Sequence, residues 1–177
     1  HVIAQLDEYF AGERTEFDLP LAPVTETPLP VMVANVVRIV ETEGPILGHR
    51  LHQVYVRAAG GQRVGREIAR LLNRAIETAQ RQGLIVADNP LSESGIKPKT
   101  FRTPDQPSVS PRQLGARSLD MVPPAELAHH LAEVGTAEEW LTEEELFRGV
   151  LGRLGLKRLT ENARTVLSSA MSLVARD

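Results

Sequence analysis

The sequence predicts a mainly α fold with a small β-hairpin, arranged as tandem winged-helix-like (helix-turn-helix) repeats. Three observations predict it. Apolar residues recur at helical spacing in successive stretches punctuated by Gly, Pro or capping residues. After the third stretch of the repeat, a short apolar run and a basic run flank a turn-forming segment, Asp88 to Gly95. Sliding the chain by 95 residues lays Val36 on Leu131, Leu51 on Leu146, Gly60 on Gly155, Arg63 on Arg158, Leu72 on Leu167 and Ala75 on Ala170. A hydrophobic share of 42% in 177 residues is enough for a buried core, and an aromatic share of 4% suits Leu/Val/Ala-packed helices.

Residues 1–30 are expected to form an N-terminal helix over 2–11, with Ala4, Leu6, Tyr9 and Phe10 apolar, then an extended linker in which Phe17, Leu19 and Leu21 alternate. Pro30 suits a helix's first turn. The first repeat covers 31–104. Its helices are expected over 31–43 (Val33, Val36, Val37 and Val40 inward), 47–59 (Leu51, Val54 and Tyr55 inward) and 62–82. They are separated by Gly44-Pro45 and Gly60-Gly61. Strands at 84–87 and 99–102 complete it as a wing. A Pro/Ser-rich connector occupies 105–123. The second repeat, 124–177, has helices over 124–135, 143–154 and 161–176 and no wing. Thr142 and Glu145 have the spacing of a capping box, and Thr160 is placed to cap the last helix.

The stretch Gly61–Gly83 carries the functional signal. On a helical wheel Ile68, Leu71, Leu72, Ala75, Ile76 and Ala79 share one face, and Arg66, Arg70, Arg74 and Arg81 fall within about 80° of one another on the opposite one. Glu77 lies within that stripe, spaced to pair with Arg74 or Arg81. The net charge of −3 is unevenly spread: residues 44–117 hold twelve Arg/Lys against five Asp/Glu, between flanks in which acids predominate. This basic middle third favours a phosphate backbone. The expected nucleic-acid-binding residues are Arg63, Arg66, Arg70, Arg74 and Arg81, with Lys97, Lys99 and Arg102 on or beside the wing.

Other chemistry has little support. With no cysteine, disulfides, thiolate metal sites and cysteine nucleophiles are excluded. His49 and His52 are three apart on one helix but lack a third ligand, and His129-His130 diverge by about 100°. The acidic run Glu143–Glu145 is explained by its place at a helix N-terminus. Glu138-Glu139 is a weaker acidic pair, and Trp140 is expected to anchor a turn. No Walker-type loop or serine-histidine-acid pattern is present. No catalytic residue, metal site or cofactor is therefore expected. No apolar run is long enough to cross a bilayer and no signal peptide stands at the start. The chain opens on His1, so a piece of a longer, cytoplasmic product is expected.

Two resemblances extend this reading. The run Gln5-Leu6-x-Glu8-Tyr9-Phe10-Ala11-Gly12-x-Arg14-x-x-Phe17-Asp18-Leu19-Pro20-Leu21, within residues 4–23, resembles the linker segment that precedes the catalytic domain of alkylguanine-DNA alkyltransferases. The resemblance ends there. The family's Pro-Cys-His-Arg motif cannot exist in a cysteine-free chain, so the alkyl acceptor is missing. From about Val31 to the end the order of features resembles a C-terminal domain of unknown function. That domain closes large bacterial proteins joining a superfamily-one helicase to a Vsr-like endonuclease. The matching runs are Val40–Ile46, Ala58–Ile68, Gln82–Ile85, Pro111-Arg112, Val122–Leu127, Glu145–Phe147 and Leu154–Leu159. This resemblance implies an accessory module on a DNA-processing machine, without the helicase or nuclease motifs. The expected function is non-enzymatic DNA binding through 62–82 and the wing, with DNA and the helicase/nuclease domains of the parent protein as partners. The alternatives are a protein–protein docking module of winged-helix fold and a catalytically dead alkyltransferase relative.

Overall fold

A computed structural model describes residues 16–137 and 141–174. The helix expected over 2–11, and Glu138, Glu139 and Trp140, lie outside the described residues. The chain divides into two compact units, one ending at Ser108 and the other beginning at Val109. The structure is mainly helical with one small antiparallel sheet.

The first unit begins its regular structure with helix α1 (Leu29–Glu43), which carries Pro30 in its opening turn and buries Met32, Val33, Val36, Ile39 and Val40. It stops at Gly44, where an added Cβ would stand 2.5 Å from the Val40 carbonyl oxygen. A two-residue strand follows, β1 (Ile46–Leu47), then helix α2 (Gly48–Ala58), helix α3 (Arg66–Arg81), and strands β2 (Val86–Asp88) and β3 (Thr100–Arg102). The strand order is β1-β3-β2, with Ile46 opposite Phe101 and Ala87 opposite Phe101 on the other side. Phe101 is therefore the centre of the sheet, and it is fully buried.

Helix α1 begins at Leu29 rather than 31, and three further boundaries differ from expectation. Strand β1 was not expected, because two residues cannot display an alternating pattern and Gly44-Pro45 signals only a stop. Helix α3 starts at Arg66 rather than 62, with Gly65 as its N-cap, so Arg63 lies in the α2–α3 loop. Strand β2 begins two residues later than the apolar run. Leu84 is used to close α3: its N–H donates to the Ala79 carbonyl and that of Gly83 to Gln80, around Gly83 at φ 73°. This is the Schellman closure, which needs a left-handed residue.

The β2–β3 loop, the segment expected to form the wing, is fastened to α2. No side chain caps α2, and its first two N–H groups donate to the wing instead: Gly48 to the Lys99 carbonyl at 2.8 Å and His49 to the Lys97 carbonyl at 3.1 Å. Orphan donors at a helix start are thereby satisfied. The approach is so close that a Cβ on Gly48 would stand 2.0 Å from the Ile96 carbonyl oxygen. The extended residues before α1 also belong to this unit. Val24 is buried, Phe17 and Leu21 pack on the core, and the Leu21 N–H donates to the Ala58 carbonyl.

The second unit contains α4 (Pro124–Ala137), α5 (Glu143–Arg153) and α6 (Glu161–Val174). Thr142 and Glu145 form the expected capping box, and the Ala163 N–H donates to Thr160 Oγ1. Leu127, Leu131, Phe147, Val150, Leu151, Leu167 and Ala170 fill its core. Arg117 forms a buried two-pronged pair with Glu126 at 2.9 Å on each arm. Under the 95-residue shift the helix starts of the two units coincide. Shifted by the same 95 residues, Gly48–Ala58 becomes Glu143–Arg153, and Leu29 and Arg66 become the starts of α4 and α6. Gly60 and Gly155 both adopt positive φ, 84° and 77°, in equivalent helix closures. Among the described residues the second unit has no strand, and no helix of either unit is long and apolar enough to cross a membrane.

Candidate functional site

Helix α3 buries Leu72, Ala75, Ile76 and Ala79 and leaves Arg66, Arg70, Arg74 and Arg81 exposed. The wheel's division into an apolar and a basic face is thus realised in the packing. Its internal charge balance differs from the one expected. Glu67, not Glu77, engages the stripe: Arg70 Nη2 donates to Glu67 Oε1 at 2.7 Å and Arg70 Nε to Oε2 at 3.1 Å. Both side chains are more than 60% exposed (62% and 63%), so water screens the pair. Hydrogen bonding and the charge of Arg70 hold the Glu67 carboxyl below its ordinary range. Among the described residues Glu77 closes no ion pair. Arg81 donates only to Thr78 Oγ1, at 3.2 Å.

On the wing, Lys97 is exposed and Lys99 half-buried. Arg102 is engaged within the hairpin. Its Nε donates to Asp88 Oδ2 at 2.8 Å and its Nη1 to the Gln106 carbonyl at 3.2 Å. The register explains this: Arg102 faces Val86 and Thr100 faces Asp88, so Arg102 and Asp88 are diagonal neighbours on adjacent strands. Seven of the eight expected cations therefore lie outside the hairpin's own ion pair, and among the described residues Arg70 alone of these has a carboxylate partner.

The structure also forms an open cleft of about 360 Å³ that sequence reasoning did not anticipate. Helix α2 contributes His49, His52 and Gln53 to it. The α2–α3 loop contributes Gln62, Arg63 and Val64, and the wing contributes Lys97. The two bonds from Gly48 and His49 hold the β2–β3 loop beside α2, which the α2–α3 loop follows in the chain. His52 is only 1% exposed. Its Nε2 is 2.7 Å from Asn73 Oδ1 on α3, and its Nδ1 has no hydrogen-bond partner among the described residues. Burial lowers the His52 pKa from its ordinary value; the Asn73 hydrogen bond opposes the shift, while Lys97 and His49 reinforce it. The signal in the sequence was the His49/His52 spacing, which suggests a metal pair only if a third ligand is near. Among the described residues no cluster of three His, Asp or Glu forms such a site.

The corresponding helix of the second unit has a different surface. Glu161, Asn162, Thr165, Ser168, Ser169 and Ser172 are its exposed residues, and Arg164 is half-buried. The basic stripe is confined to the first copy.

Among known protein families, the model for the "6-O-methylguanine DNA methyltransferase, ribonuclease-like domain" matches residues 1–23. No curated protein and no solved structure matches the chain.

Proposed function

We propose that the first unit is a non-enzymatic, winged-helix DNA-binding module, with α3 as its contact helix and the β2–β3 loop as its wing. The observation that carries this reading is the face of α3: four exposed arginines opposite an apolar side whose Leu72, Ala75, Ile76 and Ala79 are buried. Arginine suits both phosphate and base-edge contact. The element order helix–strand–helix–helix–strand–strand, with all three strands in one sheet, supports it, since the third helix of such a unit is the one that enters a groove. Lys97 and Lys99 extend the positive surface toward the wing. The ordered resemblance over 31–177 supports an accessory role in a larger bacterial, cytoplasmic helicase/nuclease-type machine. The linker-like segment within residues 4–23 is then an inherited fragment, with no alkyl acceptor to act through.

The test is a salt titration of duplex binding, followed by fluorescence anisotropy, with wild type and an Arg66/Arg70/Arg74→Ala variant. Wild type is expected to bind with a steep salt dependence and the variant to lose most of it. Equal, weak binding of the two at low salt refutes the reading. The competing docking reading has one observation in its favour, the exposure of Val31 (49%) and Leu84 (41%) on the same unit. It predicts that a Val31→Ser/Leu84→Ser variant loses a protein partner while DNA binding is absent in every form.

A further inference from the structure

The two copies provide an internal comparison that singles out His52. Under the 95-residue shift His52 corresponds to Phe147, which is fully buried in the second unit's core. The scaffold therefore accepts an apolar ring at this place. The first copy instead buries an imidazole whose Nδ1 is unpartnered. An unpaired buried polar atom is destabilising, and in a native structure it calls for a partner that the chain does not supply. That atom belongs to a residue lining the cleft, and the cleft's other contributors include two cationic side chains from different segments, Arg63 and Lys97. With Nε2–H donating to Asn73 Oδ1, the neutral ring has a bare acceptor at Nδ1, and the protonated ring has a donor there.

We propose that this cleft is a phosphate-binding subsite, in which Arg63 and Lys97 neutralise the anion from the rim and His52 takes up a proton to donate to it from the floor. Two features support the assignment of an anion. Arg63 and Lys97 have no carboxylate partner among the described residues, and no Asp or Glu lines the cleft. The groups facing His52 are His49 on its own helix, Lys97 on the wing, Arg63 in the α2–α3 loop and the neutral Asn73 on α3. All the charges among them are positive or can become so. Burial is the main cause that keeps His52 neutral, with Lys97 and His49 reinforcing it; an incoming anion favours the charged ring against both, so binding is coupled to proton uptake. The subsite rests on the DNA-binding reading only for its natural ligand. Arg63 precedes the stripe by three residues, so a phosphate of a bound strand, internal or terminal, is the expected occupant.

The test uses the whole chain and inorganic phosphate. In ¹H–¹⁵N NMR, the His52 ring and Arg63 side-chain resonances are expected to shift saturably, and Arg63→Ala or Lys97→Ala is expected to weaken binding about tenfold. Both side chains are exposed, so these variants leave the fold intact. A second arm uses sulfate, which does not titrate near neutrality, on a His49→Gln background. Affinity should rise as pH falls, and the His52 ring should gain a proton on binding. No saturable shift, equal affinity in the Arg63→Ala/Lys97→Ala double variant, or a pH-independent sulfate affinity overturns the proposal. A third arm compares duplexes with 5′-phosphate and 5′-hydroxyl ends. A preference for the former assigns the subsite to a strand terminus, and equal weakening of both by Lys97→Ala assigns it to an internal phosphate. The two readings fail separately. Phosphate binding without duplex binding sinks the DNA reading alone, whereas duplex binding unaffected by Arg63→Ala and Lys97→Ala, with no phosphate shift, sinks the subsite alone.

Discussion

Replacing Glu67 by Gln gives the sharpest test of the α3 face, because the substitution should strengthen binding rather than abolish it. Glu67 is the carboxylate that holds Arg70, through hydrogen bonds of 2.7 and 3.1 Å. Both groups are exposed, so Glu67→Gln removes a screened surface pair and leaves the core of α3 untouched. What changes is the charge presented to a phosphate: one negative group disappears and one arginine is released. In the counterion-release description, each added phosphate contact steepens the slope of log K against log salt by about 0.9. That amounts to a gain of about eightfold at about 0.1 M salt and about twofold at about 0.5 M. The reverse experiment, Arg66/Arg74/Arg81→Ala, removes three arginines without carboxylate partners and should flatten the slope by about 2.7. Anisotropy titrations of a labelled duplex at several salt concentrations read both changes. If Glu67→Gln leaves slope and affinity unchanged while the triple variant binds like wild type, α3 is not the contact face.

Three further outcomes concern the stability of the two units, each taken by itself. Gly48→Ala pushes a Cβ to within 2.0 Å of the Ile96 carbonyl oxygen and strains the two bonds that fasten the wing, so chemical denaturation should show a loss of about 3 kcal/mol. Gly152→Ala, with open space around its Cβ inside α5, is the control and should stabilise by about 0.5 kcal/mol. Among the described residues, Arg117→Met leaves the buried Glu126 with Arg112, whose Nη2 lies 3.5 Å and backbone N 3.4 Å from it, and should destabilise α4–α6 by about 3 kcal/mol in hydrogen exchange. The double variant Arg117→Met/Glu126→Leu should recover much of that loss. Burial, reinforced by Arg153 and His129, pushes the His130 pKa from 6.5 down to about 3. The unfolded chain then binds the extra proton first, so the contribution of neutral His130 is complete above pH 6.5 and lost as pH falls toward 3. The slope is at most about 1.4 kcal/mol per pH unit, and it should vanish in urea titrations of His130→Gln.

The helices were legible in the sequence because their signals are local. Pro30, Gly44-Pro45, Gly60, Gly83 and the Thr142/Glu145 pair mark starts and stops within a few residues of the groups they satisfy. The apolar and basic faces of α3 were legible for the same reason. What escaped is non-local. Strand β1 exists because β3 lies beside it, more than fifty residues away in the chain, and two residues carry no period of their own. The engagement of Arg102 depends on hairpin register, which sets Asp88 diagonal to it across an eleven-residue loop. Glu67 sits three residues before Arg70, a readable spacing. The wheel alone favoured Glu77, because Glu77 shares the stripe's angle, and only side-chain geometry separates the two. The cleft was invisible because α2, the α2–α3 loop and the wing meet only after Gly48 and His49 donate to the wing's carbonyls.

The internal repeat bears on why α3 has its charge at all. Four arginines on one face repel one another, and like charges at helical spacing are destabilising. Glu67 offsets this at Arg70 alone. The copy at α6 shows that the same architecture needs no such array: Leu72 and Ala75 in the first unit and Leu167 and Ala170 in the second fill equivalent core positions, all at or below 1% exposed. The surface opposite is serine, threonine and asparagine in α6 and arginine in α3. The core thus accounts for the folding of both helices, and the stripe is an added cost in one of them. His52 repeats the pattern inside the same unit, a buried imidazole whose Nδ1 has no partner among the described residues where Phe147 fills the equivalent place. Two independent departures from the cheaper alternative, one on the surface and one buried, fall on the α3 and wing side of the first unit. An anionic partner would relieve both, and a phosphate is one that does so.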